Sequence, residues 1–193
     1  GEVSNCTFTN NTVYNEFTSP VASCISGGEI ENFSISGCIF DSNVNFYGVK
    51  IRNKNATIDN CIFSNNVLET DWGAGINWGG DGTLTTTNCT FVNNNAPRGA
   101  AMKVDSDSWS TTNPCNIYID NCQFKHNSAD IGSAIYHYEY PNGIELLSIS
   151  DSAFCGNTDP TIDGFWSDYG GNTFYESCDD ADSDGIPDNK DNC

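Results

Sequence analysis

One phrase, Asn/Gly-Cys-x-Phe-x-x-Asn, recurs along the chain and constrains its fold more than any other feature. It stands at Asn5-Cys6-Thr7-Phe8 with Asn11, Gly37-Cys38-Ile39-Phe40 with Asn43, and Asn60-Cys61-Ile62-Phe63 with Asn66. It returns at Asn88-Cys89-Thr90-Phe91 with Asn94 and at Asn121-Cys122-Gln123-Phe124 with Asn127. A sixth copy, Phe154 to Asn157, has Ser152 in place of cysteine, and Gly171-Asn172-Thr173-Phe174 reads as a degenerate seventh.

Successive phenylalanines lie 32, 23, 28, 33, 30 and 20 residues apart. A fixed phrase on an irregular period means constant strands joined by loops of variable length, which a solenoid tolerates because each coil touches only its neighbours. Helical repeats keep tighter periods and need Ala, Leu and Glu, which are scarce here. Short alternating stretches precede each phrase, among them Phe33-Ser34-Ile35, Ala56-Thr57-Ile58, Ile117-Tyr118-Ile119 and Leu147-Ser148-Ile149. Period-two alternation rich in β-branched residues predicts strands. The alternation changes phase just before each cysteine, so a tight corner there turns Ile119, Cys122 and Phe124 all inward.

A second phrase follows each Phe-x-x-Asn: Gly48-Val49-Lys50-Ile51, Gly73-Ala74-Gly75-Ile76, Gly99-Ala100-Ala101-Met102 and Gly132-Ser133-Ala134-Ile135. Small residues let backbones approach closely, and the last aliphatic of each phrase is expected inside. Ile25 and Ile162 are looser candidates for the same position. The fold class expected is therefore all-β, a parallel β-helix of about six to seven coils over residues 1–177. Like residues then stack into ladders of Phe, Ile/Met, Asn and Cys at the strand spacing of roughly 4.8 Å. The asparagines can bond amide to amide. A catalytic role for them is disfavoured, because they recur in every coil. The cysteine column reads either as stacked small hydrophobes or as disulfides.

The repeat resembles those of polymorphic outer membrane proteins and related right-handed β-helix surface proteins, most closely over Phe124-Lys125-His126-Asn127-Ser128-Ala129-Asp130-Ile131-Gly132-Ser133-Ala134-Ile135-Tyr136. The resemblance implies a right-handed solenoid and a cell-surface, adhesive or structural role. The Val-Lys and Ala-Gly variants of the small-residue phrase depart from that family, as does the lack of a membrane-anchoring barrel.

Residues 178–193 form a separate acidic segment. Counting Asp180 as position 1, carboxylates fall at 1, 3, 5, 9 and 12 (Asp180, Asp182, Asp184, Asp188 and Asp191), with Gly185 at 6 and the Ile186 carbonyl at 7. That spacing suits a calcium loop, in which hard oxygen donors surround the ion. No flanking helix is evident and Pro187 interrupts the loop, so it is not an EF-hand. It resembles a thrombospondin type 3 repeat through Asp184-Gly185-Ile186-Pro187-Asp188 and the closing Asp191-Asn192-Cys193. Calcium is the expected cofactor.

Charge and cysteine content narrow the partners. The net charge is −19, with seven Lys and Arg against 26 Asp and Glu. That disfavours nucleic acid, anionic membranes and acidic polysaccharides. Ten cysteines without a Cys-x-x-Cys pair point to an oxidising, extracellular or cell-surface location. Five sequons, at Asn5, Asn10, Asn32, Asn55 and Asn88, fit that location. No apolar run is long enough to span a bilayer. The chain opens without methionine or signal segment, which reads as a piece of a longer precursor.

The expected function is an extracellular structural or adhesive module, able to serve as a subunit of a surface fibre through end-to-end self-association, meeting other surface proteins or glycans. The alternative is a carbohydrate-binding or polysaccharide-cleaving β-helix. Lys50, Arg52 and Lys54 form a basic strand face, Asp105 and Asp107 lie on the longest insertion, and Trp72, Trp78, Trp109 and Trp166 suit a sugar-stacking platform or a cover for the solenoid. His126 and His137 show no evident partners in the sequence. Enzyme activity is not expected, because nothing selects a catalytic pair.

Overall fold

The computed structural model describes residues 1–13, 22–27, 31–52, 55–80, 82–106, 115–138 and 145–178. Three parallel sheets of seven, seven and six strands run along it, and each coil contributes to them in turn. The first sheet holds Glu2–Ser4, Asn32–Ser36, Asn55–Asp59, Thr83–Thr87, Cys115–Asp120, Glu145–Ser150 and Ser167–Asp168. The second holds Thr7–Thr9, Ile39–Asp41, Ile62–Ser64, Thr90–Val92, Gln123–Lys125, Ala153–Cys155 and Thr173–Tyr175. The third holds Ala22–Gly27, Phe46–Ile51, Ile76–Gly80, Met102–Ser106, Ile135–Tyr138 and Ile162–Asp163.

Left-handed corners make the coil. The residue three before each phenylalanine has positive φ: Asn5, Gly37, Asn60, Asn88, Asn121, Asp151 and Gly171. So does the residue two after it, at Asn10, Ser42, Asn65, Asn93, His126 and Gly156. Asn, Asp and Gly tolerate this region best, which explains why the repeat is so rich in asparagine. The first corner is the expected phase break. The second directly precedes the ladder asparagine.

The ladders stand in register. Phe8, Phe40, Phe63, Phe91, Phe124, Phe154 and Phe174 stack with centroids 4.7 to 5.1 Å apart and ring planes within 6°. Each buried asparagine is fully bonded. The Asn66 amide donates to Asn94 Oδ1 at 3.0 Å and to the Phe40 carbonyl at 3.0 Å, while the Asn66 backbone N–H also meets Asn94 Oδ1 at 3.1 Å. The same trio recurs at Asn43, Asn94 and Asn127. Such a chain leaves no buried amide to be desolvated without compensation.

The cysteine column is a thiol ladder. Cys6, Cys38, Cys61, Cys89 and Cys122 each donate S–H to the carbonyl two residues back, at 3.1 to 3.3 Å. The sulfurs of Cys38, Cys61 and Cys89 also accept the N–H of the cysteine one coil before. Ser152 substitutes at the end of the column, its hydroxyl accepting from Cys122 N–H at 3.1 Å and donating to Ser150 O at 2.8 Å. Burial pushes Cys24 up to about 11 and raises Cys38. Among the described residues one disulfide forms, Cys155–Cys178.

One register expectation needs correction, while Ile25 and Ile162 take the column expected of them. Val49, and not Ile51, aligns with Ile76, Met102, Ile135 and Ile162, and Ile25 joins the same column. Ile51 pairs with Trp78 instead. The close approach fixes this: a Cβ on Gly48 would sit 2.7 Å from the Gly75 carbonyl and 3.1 Å from the Phe63 ring. Gly48 is therefore the last small residue of its phrase and not the first.

Candidate functional site

Alternation sends half of each third-sheet strand outward. Ser26, Lys50, Asn77, Lys103, Tyr136 and Asp163 form one outward row, and Gly79, Asp105 and Tyr138 a second. The first sheet shows Ser34, Thr57, Thr85, Tyr118 and Ser148 at its corresponding surface, a run made mostly of hydroxyls. Charge and aromatic rings thus gather on the third sheet.

Trp72 and Arg98 reach this face from the segments leading into the sheet, where isolated bridges align Trp72 with Arg98 and Arg98 with Ile131. The Arg98 guanidinium lies 5.0 Å from the Trp72 ring and 5.5 Å from the Tyr136 ring, and donates to the Tyr136 hydroxyl at 3.3 Å. Trp72 meets Tyr136 edge-on at 5.7 Å and Tyr138 at 6.3 Å with 29° between planes. The Asn77 amide donates to the Trp72 carbonyl at 2.8 Å.

Lys103 and Asp105 form an ion pair in the middle of the face, with side chains only 9% and 12% exposed. Gly79 makes room for it: a Cβ there would stand 2.6 Å from Asp105 Oδ1. Toward the N-terminal side, Lys50 lies 4.4 Å over the Tyr47 ring, and the Tyr47 hydroxyl donates a short hydrogen bond to Asp71. Burial lowers Lys50 from the ordinary lysine range, and Asp71 opposes that shift. Burial first, then Asp71, raises Tyr47, so its hydroxyl stays a donor. Lys50, Arg52, Arg98 and Lys103, four of seven basic residues, belong to this region.

Several sequence expectations change here. Trp78 is fully buried between Ile51 and Val104 and offers no sugar platform. Its column is inward, and a loop tryptophan cannot be told from a core one without the register. Trp166 packs on the core and lies 5.9 Å from Phe174, covering the last rung. Asp105 sits on a strand, buried and paired, and not on an open insertion. His137 does find a partner, its Nδ1 standing 2.8 Å from the Phe165 carbonyl. Sequence spacing does not bring out the Lys103–Asp105 pair or the Arg98–Tyr136 contact, although Met102-Lys103-Val104-Asp105 and Ile135-Tyr136-His137-Tyr138 carry the alternation that turns them away from the core.

The expected calcium ligands, Asp180, Asp182, Asp184, Ile186, Asp188 and Asp191, lie outside the described residues, as do Lys54, Asp107 and Trp109. All five sequon asparagines are exposed. Among the described residues no helix is long and apolar enough to cross a membrane.

Three parallel sheets wound through seven coils around stacked Phe, Cys and Asn columns define a parallel β-helix. The chain belongs to the family described as right handed beta helix region, whose pattern matches residues 1–179. Comparison with curated proteins and with solved structures gives no match.

Proposed function

We propose that this chain is an extracellular structural and adhesive β-helix module whose contact face is the third sheet, with glycans as the first ligand class to test. One observation carries the reading: aromatic rings, paired charges and amides gather on that sheet, around Trp72, Arg98, Lys103, Asp105 and Tyr138. Aromatic faces beside charged hydrogen-bonding groups suit carbohydrate, whose rings have both apolar faces and hydroxyl edges. Because Lys103 and Asp105 already neutralise each other, the face can offer hydrogen bonds without presenting a bare charge.

Binding without turnover is the role proposed. A glycan array is expected to show binding that Trp72→Ala and Tyr138→Ala weaken, with no sugar released from neutral or acidic polysaccharides. No binding to any glycan or surface protein by the unaltered chain, or turnover lost in Asp105→Asn, would overturn it. The resemblance to polymorphic outer membrane proteins and the Cys155–Cys178 disulfide support the surface location.

Calcium is proposed to order residues 180–191 through the carboxylates of Asp180, Asp182, Asp184, Asp188 and Asp191 and the Ile186 carbonyl, on the strength of their spacing. Isothermal titration with calcium should give heat that Asp184→Ala greatly reduces. End-to-end self-association is proposed because each coil pairs with the next through the same parallel strand edges, a contact that a second copy can also make. Sedimentation showing only monomer across a wide concentration range would end that part.

A further inference from the structure

We propose that the C-terminal end of the third sheet holds a binding site for an organic ammonium group. It rests on the reading of this sheet as the contact face, and narrows it to one ligand chemistry at one place. A depression of about 430 Å³ lies there, lined by Tyr136, His137, Tyr138, Asp163, Gly164 and Phe165. Three of the six lining residues are phenyl or phenol rings, and one is a carboxylate.

The sign of the ligand follows from the charges around the depression. Asp163 stands beside Tyr136 in the sheet register, and Asp105, already paired with Lys103, stands beside Tyr138. Although the chain as a whole carries −19, four of its seven basic residues lie on or beside this sheet, so the preference for a cation here rests on Asp163 and the aromatic rings. Ring faces add the negative end of their quadrupole, which favours a cation with little hydration, above all a quaternary ammonium. The Arg98 guanidinium already lies 5.5 Å from the Tyr136 ring, so the ligand cation is received chiefly by the Phe165 ring and the Asp163 carboxylate. Lys50 over Tyr47 repeats the pairing of cation and ring elsewhere on the same sheet.

Phe165 supplies the outer wall. It is 82% exposed, the most exposed of the chain's large hydrophobic residues among those described. Its backbone carbonyl is held 2.8 Å from Nδ1 of the buried His137, so the wall is anchored although the ring faces water. An exposed aromatic ring fixed at the rim of a carboxylate-bearing depression is the arrangement that a cationic headgroup fits.

The test is isothermal titration of the full chain with choline chloride at fixed ionic strength, beside its uncharged isostere 3,3-dimethyl-1-butanol. Choline is expected to bind, with the isostere at least about threefold weaker. Phe165→Ala and Asp163→Asn should each weaken choline by a factor of roughly 2 to 5. Circular dichroism melts should be unchanged in Phe165→Ala, because that ring buries little. Absence of choline binding, equal binding of the isostere, or full affinity in both variants would overturn the site. Glycan-array binding lost on Trp72→Ala reports on the wider contact face independently, so failure of the ammonium site and failure of the adhesive reading are told apart.

Discussion

Along the second sheet the inward residue is phenylalanine in all seven coils, whereas the outward row of the third sheet reads Ser26, Lys50, Asn77, Lys103, Tyr136 and Asp163. Both columns are wound from the same coils at the same spacing. In the first, like meets like, and each rung supports the next through stacking and shared amides. In the second, each rung differs, and the contacts are an ion pair, three cation-bearing rings and an edge-on aromatic pair. Repetition serves the fold. Departure from repetition marks the surface where specificity can reside.

The largest test of that contrast is Phe91→Ala in mid-ladder. Removing a fully buried ring with a neighbour on each face is expected to cost about 4 kcal/mol in urea unfolding. Tyr138→Ala should cost less than about 1 kcal/mol, because the ring is only half-buried. Equal losses would erase the distinction between the columns.

Asp105→Ala comes next. It leaves Lys103 buried without its carboxylate, at a cost of about 3 kcal/mol. The double variant Lys103→Met/Asp105→Leu should return to within about 1 kcal/mol of the parent, since replacing both members of a buried pair is often neutral. A double variant as unstable as the single one would make the pair a structural support for the coil. Its recovery, together with lost ligand binding, would tie the pair to recognition.

Within the ladders, Thr86 is the odd rung. It aligns with Ile58 and Ile119 in a column of isoleucines, is fully buried, and its hydroxyl has no hydrogen-bond partner, like Trp78 Nε1. Thr86→Val should raise stability by about 1 kcal/mol, read as a higher midpoint in thermal unfolding.

The smallest effect is electrostatic. The Ser64 hydroxyl, then Asn65, holds Asp41 below the ordinary carboxylate range, and Thr87 with Asn88 does the same for Asp59. A lowered folded value means the support is fully present above the unfolded value near ~3.9 and lost as pH falls through the folded value. Melting between pH 5 and 2 should therefore be less pH-dependent in Asp41→Asn/Asp59→Asn. An unchanged acid limb would show these rim carboxylates to be passive.

How far the sequence was legible divides along the same line. The phenylalanine, cysteine and asparagine columns come from one short strand-corner-strand unit, so spacing in sequence is spacing in space. The third sheet follows a connection of variable length: six residues part Asn43 from Val49, but ten part Asn66 from Ile76. That slack is why Gly48-Val49-Lys50-Ile51 aligns two residues away from its expected place and why Trp78 is inward. The meeting of Trp72, Arg98 and Tyr136 draws on three coils, and no short motif records it. The second left-handed corner was not predicted, although the doublets Asn10-Asn11, Asn65-Asn66 and Asn93-Asn94, in which the first residue turns and the second bonds, carry its signal.

The bridge from Cys155 to Cys178 joins the sixth coil to the residues just past the seventh strand of the second sheet. A wound ribbon held only by its neighbours comes undone from its ends, one turn at a time, like thread leaving a spool. This bond knots the thread after the seventh turn. Under reducing conditions hydrogen exchange should quicken first in Thr173–Tyr175 and Ala153–Cys155, while the middle turns keep their protection.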